Sequence, residues 1–335
     1  MAIVVSVLIL VVAICVIKFR NRTDVNPNIV EFKKVMKHGA LQDPNEIFRV
    51  MKGVANEDSP EIIEKLHEFS DSKNTLIKAG LALALSGKKD EKSIQIQEKL
   101  ARDSDVFVRA QVILAAHQKP SVDQVGPMKI ILANPDITEA ERVQAEGVLY
   151  RSLLQTSPSE AKPHLNVLLD WAEASEWNER AGFAVMELSQ IMPVNETLLR
   201  LNRKMAEQNK HINFKISAIR TLVNAKDPSA GAEISSWIHS SDHLVKEIAL
   251  ESLPKVCPSK RWEWIEEGYR NEKNPSSRAH WLGVAEKLQE PESQKFFLSA
   301  LKAAQASGDA AMVKEVNEVW VRSKGSSRVA PCIKN

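Results

Sequence analysis

The chain has 335 residues, of which 44% are hydrophobic and 26% are charged. It contains only 12 glycines and 5% aromatic residues, a composition that disfavours strands and tight turns and favours helices. The formal net charge of +2 excludes a globally basic nucleic-acid-binding protein. The three scattered cysteines exclude a disulfide framework and a cysteine-based zinc site.

The N-terminal segment is a charge-free apolar run, MAIVVSVLILVVAICVI, followed directly by the basic stretch KFRNR. As a helix this run rises about 25 Å, close to the thickness of the hydrocarbon core of a bilayer. We therefore expect a transmembrane anchor over 1–19 and a short basic and polar linker over 20–27. Because the basic residues follow the run, the rest of the chain is expected in the cytoplasm. A buried core helix is the alternative, whereas Ile14 before Cys15 disfavours a lipoprotein.

One local pattern recurs along the rest of the chain: a basic residue with a small or apolar residue three positions later. The basic residues are Lys78, Arg109, Arg142, Arg180, Lys215, Lys246 and Arg278. Their spacings are 31, 33, 38, 35, 31 and 32 residues. Such a near-constant step is typical of repeat proteins, in which each unit buries its apolar face against its neighbours. A chain longer than about 250 residues also suits an elongated array better than one compact core.

Each recurring segment follows another amphipathic stretch, and turn or capping residues separate the two. These residues are SD at 104–105, Asp136, PS at 228–229, SD at 241–242 and PSS at 275–277. Each is suited to capping or stopping a helix. The predicted unit is therefore helix, turn, helix.

The segments DSDVFVRAQVILAA and DHLVKEIALESL resemble the second helix of the HEAT-repeat family, with its Asp, then Val-Arg or Val-Lys, then Ala and Leu. The resemblance implies an all-α fold: a right-handed α-solenoid of antiparallel helix pairs over 28–322, with about seven to eight repeats, clearest over 70–290. It also implies that the seven basic residues form a structural ladder between adjacent repeats. The register around Arg142 and Arg180 stays open, because neither follows a valine.

Two neighbouring segments carry opposite charge. Residues 160–187 are mostly acidic, whereas between residues 200 and 226 Glu207 is the only acid among seven basic residues. These faces either pair with each other or form a docking site for an acidic segment of a protein partner. The candidate partner-binding cations are Arg200, Arg203, Lys204, Lys210, Lys215 and Arg220. The resemblance places the first three on a first, convex helix and the last two on a second, concave one.

Tryptophans crowd the C-terminal third, where RWEWIEEGYR alternates aromatic and charged residues. Trp262 and Trp264 are two positions apart and cannot share one helix stripe, so either could anchor an interface, although burial in the core is the alternative. The tail over 323–335 is basic and rich in glycine and serine, which predicts disorder and contact with anionic headgroups.

No catalytic motif is present: GxxxxGK[ST], GxGxxG, GxSxG and HExxH are all missing from the sequence. His239 and His243 have the i, i+4 spacing of metal ligands, but turn residues separate them. We therefore expect no enzymatic activity, no catalytic, cofactor-binding or metal-binding residues, and no cofactor.

These observations favour a membrane-anchored scaffold whose cytoplasmic repeats bind protein partners. A structural subunit of a membrane protein complex is the second interpretation, distinguished by larger and more apolar interfaces. An enzyme on a HEAT-like scaffold, of the bilin lyase or DNA glycosylase type, ranks lower. Nucleic acid is not expected as a partner, since the acidic segment at 160–187 would interrupt a basic groove.

Overall fold

The computed structural model describes residues 29–32, 44–174, 177–208, 210–240, 242–256, 258–272, 274–288 and 290–325. Within these ranges the chain is helical, without a strand, and the prediction of an all-α protein is confirmed there. The anchor at 1–19, the linker at 20–27 and most of the tail lie outside the described residues. Among the helices described, none is both long and apolar enough to cross a membrane.

Helix contacts divide the chain into two compact units, Met1–Val167 and Leu168–Asn335. The helices of the first are α1 (Pro44–Gly53), α2 (Pro60–His67), α3 (Thr75–Ala84), α4 (Glu91–Ala101), α5 (Val106–Gln118), α6 (Val125–Ala133) and α7 (Glu139–Leu153). A 3-10 turn, Val122–Gln124, precedes α6, and α8 (Pro158–Ala172) contains the division between the units. The helices of the second are α9 (Glu179–Ile191), α10 (Glu196–Gln208), α11 (Ile212–Asn224), α12 (Ser229–Trp237), α13 (His243–Val256), α14 (Arg261–Asn271), α15 (Pro275–Leu288), α16 (Pro291–Ala306) and α17 (Ala310–Gly325).

The N-terminal unit consists of two rows of helices. Helices α1, α3, α5 and α7 pack one on the next, and α2, α4 and α6 form a second row against them. Apolar residues of both rows, among them Leu81, Val112 and Val148, are fully buried in one core. Helices α3 to α7 therefore pack on a helix two places along the chain as well as on a sequence neighbour.

The C-terminal unit repeats this arrangement along one row. Helices α9, α11, α13, α15 and α17 pack one on the next. The intervening helices α10, α12, α14 and α16 each pack against the helix that follows. The second helix of each pair, from α9 to α17, therefore belongs to one continuous row in this unit.

Six of the seven recurring basic residues occupy the same place, the fourth position of a second helix. At this position the backbone N–H donates to the carbonyl of the N-cap residue, as Arg109 does to Asp105 and Lys246 to Asp242. The side chains of these two aspartates also accept hydrogen bonds from the first turn, as predicted for capping residues. The six residues are Lys78, Arg109, Arg142, Lys215, Lys246 and Arg278.

Arg180 is out of this register. Its helix begins after the N-cap Asn178, so Gly182 is the residue whose N–H donates to the N-cap carbonyl. The residue three positions after Gly182 is the buried Val185, whereas Phe183 is only half-buried. The sequence left the register at this residue open, and the structure makes Arg180 the second residue of its helix instead of the fourth.

The helix that contains Arg142 has Thr138 as its N-cap. Asp136 lies in the turn that precedes it, in agreement with the prediction of a turn between the two helices. The Thr138 hydroxyl accepts from the N–H of Glu141, and the Glu141 carboxylate accepts from the N–H of Thr138. This reciprocal capping box satisfies two backbone donors that the first turn would otherwise leave unpaired.

The same Glu141 also holds Arg109 from the neighbouring helix pair. Arg109 donates to both carboxylate oxygens, at 2.7 and 3.2 Å, and both side chains are buried. Two backbone carbonyls, of Asp103 and Ser104, accept from its Nη1 at 2.9 Å. Burial raises the pKa of Glu141, but the hydrogen bonds from Arg109 and Thr138 outweigh it and hold that pKa below its ordinary value of 4.5.

We expect Arg109→Met to lower the free energy of unfolding by about 3 to 5 kcal/mol, because it leaves the buried Glu141 carboxylate without its cation. Urea unfolding of the full chain, followed by circular dichroism, measures this loss. The control is Arg49→Met, which removes an exposed ion pair with Glu31 and should change the midpoint little. Since the folded pKa of Glu141 is lowered, its contribution is present above the unfolded pKa and is lost as the pH falls through the folded pKa. Equal losses in both variants would contradict the buried role of Arg109.

Two glycines of the C-terminal unit make a matched pair. The buried Trp281 packs its ring against the backbone of Gly268, so a methyl group there would overlap the indole. Around Gly283 nothing lies within 4 Å of the position that a methyl group would take. Gly268→Ala should therefore destabilise by about 1 to 3 kcal/mol. Gly283→Ala should stabilise by up to about 1 kcal/mol, because alanine favours the helix. Thermal unfolding followed by tryptophan fluorescence tests both signs, and a stabilised Gly268→Ala variant would refute the packing.

Candidate functional site

Three of the predicted partner-binding cations lie on α10 and are engaged within the chain. Arg200 donates to both carboxylate oxygens of Glu173. Lys204 donates to the carbonyl of Ala174 at 3.2 Å and lies 5.4 Å from the ring centroid of Trp177. The acidic and basic segments therefore pair with each other at these positions.

Arg203 has the strongest of these attachments. Its Nη2 donates to the buried carboxylate of Asp227 at 2.6 Å, and its Nη1 donates to Glu196 at 2.7 Å. The hydrogen bond from Arg203 is the main cause that lowers the pKa of Asp227, against an opposing effect of burial. Asp227 in turn accepts from the N–H and hydroxyl of Ser229 at the start of α12. Arg203 is thus held in the seam between two helix pairs.

The other three cations have no such partner. Lys210 precedes α11, and Lys215 and Arg220 lie on it. Within the part of the chain that the structure describes, no carboxylate pairs with any of them. Lys210 and Arg220 are exposed and Lys215 is half-buried. Arg220 differs from the other two because it lines a groove.

This groove runs across α9, α11 and α13 and has a volume of about 450 Å³. Ile216 and Ile248 are buried at its base, and Leu244 beside them is 48% exposed. Its walls are mostly amides and hydroxyls, with Arg220 as the single charged group among the lining residues. The lining residues are Met186, Ser189, Gln190, Asn213, Ile216, Ser217, Arg220, Thr221, Asn224, Leu244 and Ile248.

The polar walls offer both donors and acceptors to a ligand. Gln190 and Asn213 are exposed, and their amides have no hydrogen-bond partner among the described residues. Asn224 accepts from Lys255 at 3.1 Å, which leaves its amide N–H₂ group available. An apolar base with a few convergent polar groups is the usual form of a binding site.

The sequence analysis does not predict these amides as binding residues, because its candidates are cations and tryptophans. A signal was present: Asn213, Ser217, Arg220 and Asn224 are spaced by four, three and four residues, which places them on one face of a helix. That face could be found from sequence, but its exposure depends on how α9 and α13 pack against α11.

The two tryptophans singled out from the sequence are part of α14 and lie away from the groove. Trp262 is half-buried, and its Nε1 donates to Glu290 at 2.6 Å. Its ring lies 6.3 Å from that of Phe296. Trp264 is half-buried as well. The contacts of Trp262 are those of a packed residue at a seam between helix pairs.

The remaining recurring basic residues differ in their contacts. Lys78 lies 2.7 Å from Asp103, Lys246 lies 3.5 Å from Glu272, and Arg278 lies 4.0 Å from Asp309. Arg180 stacks on the ring of Trp171, with 5.4 Å to the centroid. Arg142 is half-buried and, like Lys215, has no ion pair within the described residues.

No group of histidine, cysteine, aspartate and glutamate side chains in the described ranges has the arrangement of a metal site. Comparison with known proteins adds no family to these observations. The chain matches no protein-family model and no curated protein.

Proposed function

We propose that this protein is a membrane-anchored, non-enzymatic scaffold whose helical repeats bind a protein partner in the groove across α9, α11 and α13. In this proposal the repeats form a right-handed, HEAT-like α-solenoid on the cytoplasmic side, held to the membrane by residues 1–19. The packing of every second helix on the next supports a solenoid. The observation that carries the function is the groove itself, with its apolar base, free amides and unpaired Arg220.

The chemistry of the groove suits an extended polypeptide segment. The backbone of such a segment carries an N–H donor and a C=O acceptor at each residue, and all of them need partners when they leave water. Asparagine and glutamine side chains supply a donor and an acceptor together. Gln190, Asn213 and Asn224 present three such amides along the groove, next to the apolar contact area of Leu244.

Arg220 adds a preference for an acidic residue in the partner. Its guanidinium is exposed and lacks a carboxylate in the described part of the chain, so a carboxylate of the partner can form a bidentate pair with it. The paired cations on α10 do not offer this, since a partner would have to displace Glu173 or the buried Asp227. Arg220 is therefore the residue that we expect to bind an acidic side chain of the partner.

Peptides selected on the protein from a displayed random library should be enriched in aspartate and glutamate. With Arg220→Glu the enrichment should reverse to lysine and arginine, because the sign of the groove's one charge is reversed. Sequencing of the selected pools measures both. A reversed preference shows that the variant is still folded and that the charge at this position selects the peptide. Loss of the fold would instead abolish selection.

The matched control is Lys295→Glu, the same charge change at an exposed position of α16 outside the groove. It should leave the acidic enrichment unchanged. Arg203→Glu is unsuitable as a test, because it would place a second carboxylate beside the buried Asp227. Peptide pools with no acidic enrichment on the unaltered protein would refute the role of Arg220.

The anchor has a separate test in carbonate extraction of membranes at alkaline pH. The apolar run and the flanking Lys18, Arg20 and Arg22 support the expectation that the full chain stays in the membrane pellet. Leu8→Arg with Val12→Arg should release it, since each arginine near the centre of such a helix costs about 2.5 to 3.5 kcal/mol. Leu8→Ile with Val12→Leu is the control that should stay in the pellet. Release of the unaltered chain would refute the anchor.

A further inference from the structure

A second cavity lies in the C-terminal unit, apart from the groove. It has a volume of about 220 Å³ and is enclosed by α14, α15, α16 and the start of α17. Tyr269, Phe296 and Met312 supply large side chains to its walls, and alanines of α16 supply small ones. The ring centroids of Tyr269 and Phe296 are 5.3 Å apart in an edge-to-face arrangement. The space is therefore small, with aromatic, methionine and alanine side chains on one part of its wall and polar groups on the rest.

Arg278 brings a positive charge to this cavity. It occupies the fourth position of α15, the place that Lys78 and Arg109 occupy in their own helices. Those two residues are bound at 2.7 Å to a carboxylate of the next pair. The Nη2 of Arg278, in contrast, is 4.0 Å from Asp309, beyond hydrogen-bonding distance.

The guanidinium of Arg278 has no hydrogen-bond acceptor in the described residues, and its Nε is enclosed by protein without a partner. Asp309 does not turn fully toward it, because Oδ1 accepts the backbone N–H of Met312 at the start of α17. A donor that is enclosed by protein, as this Nε is, normally has an acceptor, since leaving its hydrogen bond unmade is costly. The unmet donors and the cavity beside them indicate a missing acceptor group.

Tyr269 provides a second donor on the same side. No hydrogen bond involves its hydroxyl within the described ranges. Burial is the main cause that raises the pKa of this phenol, so the hydroxyl stays protonated and can donate. Glu266 and Arg270 also line the cavity, but both are exposed and carry opposite charges. Arg278 is thus the only charged group among the less exposed lining residues.

We propose that this cavity binds a small organic carboxylate. The carboxylate accepts from Nε and one terminal amino group of Arg278 and from the hydroxyl of Tyr269, while the apolar body packs against Phe296, Met312 and Ala300. The volume equals about seven water molecules of liquid, which suits an acid of the size of benzoate or hexanoate. Guanidinium groups favour carboxylates because two parallel N–H donors match the two oxygens. The site is independent of the protein-binding groove.

The experiment is a calorimetric titration of the full chain in mild detergent with benzoate, hexanoate and benzamide. Benzamide has the shape of benzoate without the charge. At about 10 mM, a range in which ligands of this size can bind, at least one carboxylate should bind and benzamide should bind at least about tenfold more weakly. Equal binding of benzoate and benzamide, or no binding of either carboxylate, overturns the proposal.

Two variants locate the site. Arg278→Gln should weaken carboxylate binding about tenfold or more, because a neutral amide replaces the charged donors. Ala303→Phe should abolish binding by filling the cavity while leaving Arg278 in place. Its control is Ala306→Phe. Both alanines are exposed on the same helix, but Ala306 does not line the cavity, so this variant should bind as the unaltered protein does. Undiminished binding by Ala303→Phe, or equal loss in both phenylalanine variants, refutes this location.

Discussion

The interaction on which both units depend is the burial of each described helix's apolar face against helices of the neighbouring pair. In the N-terminal unit the core residues Leu81, Val112 and Val148 belong to three successive second helices, and they are buried only because these helices pack on one another. Apolar surface is thus buried between successive helix pairs. Each helix start is consequently placed against its neighbour, and its polar groups fall in the seam.

Polar groups in a seam lose part of their hydration and need partners from the adjacent pair. Arg109 shows this in its strongest form, since Glu141 and two carbonyls satisfy it in a buried place. Arg203 does the same with Asp227, and Arg261 with Glu290. Among the recurring cations, Lys78 and Arg109 each bind a carboxylate of the next pair at 2.7 Å. A cation that lacks such a partner is a candidate for binding an external group.

Arg220 and Arg278 are such candidates, in different ways. Arg220 is exposed in an open groove among amides, which suits the side chain and backbone of an extended partner. Arg278 is at the position where Lys78 and Arg109 bind a carboxylate at 2.7 Å, but it lies 4.0 Å from Asp309 and lines a cavity. The distribution of charge along the sequence does not distinguish these residues from Arg200 or Arg203. Only the contacts in the structure show which cations already have a carboxylate partner.

The sequence by itself determined the all-helical class and the helix starts after Asp105 and Asp242, because helical periodicity and N-capping act between residues that are close along the chain. It left the register at Arg180 open, and the structure places the N-cap of that helix at Asn178, with Gly182 close against the ring of Phe214. Only the tertiary structure decided which charges are paired. The partners of Arg109 and Arg203 lie 32 and 24 residues away, and their choice depends on how successive helix pairs pack. The same packing forms the groove at Arg220 and the cavity at Arg278, since each is a space between helices of the C-terminal unit that are distant along the sequence.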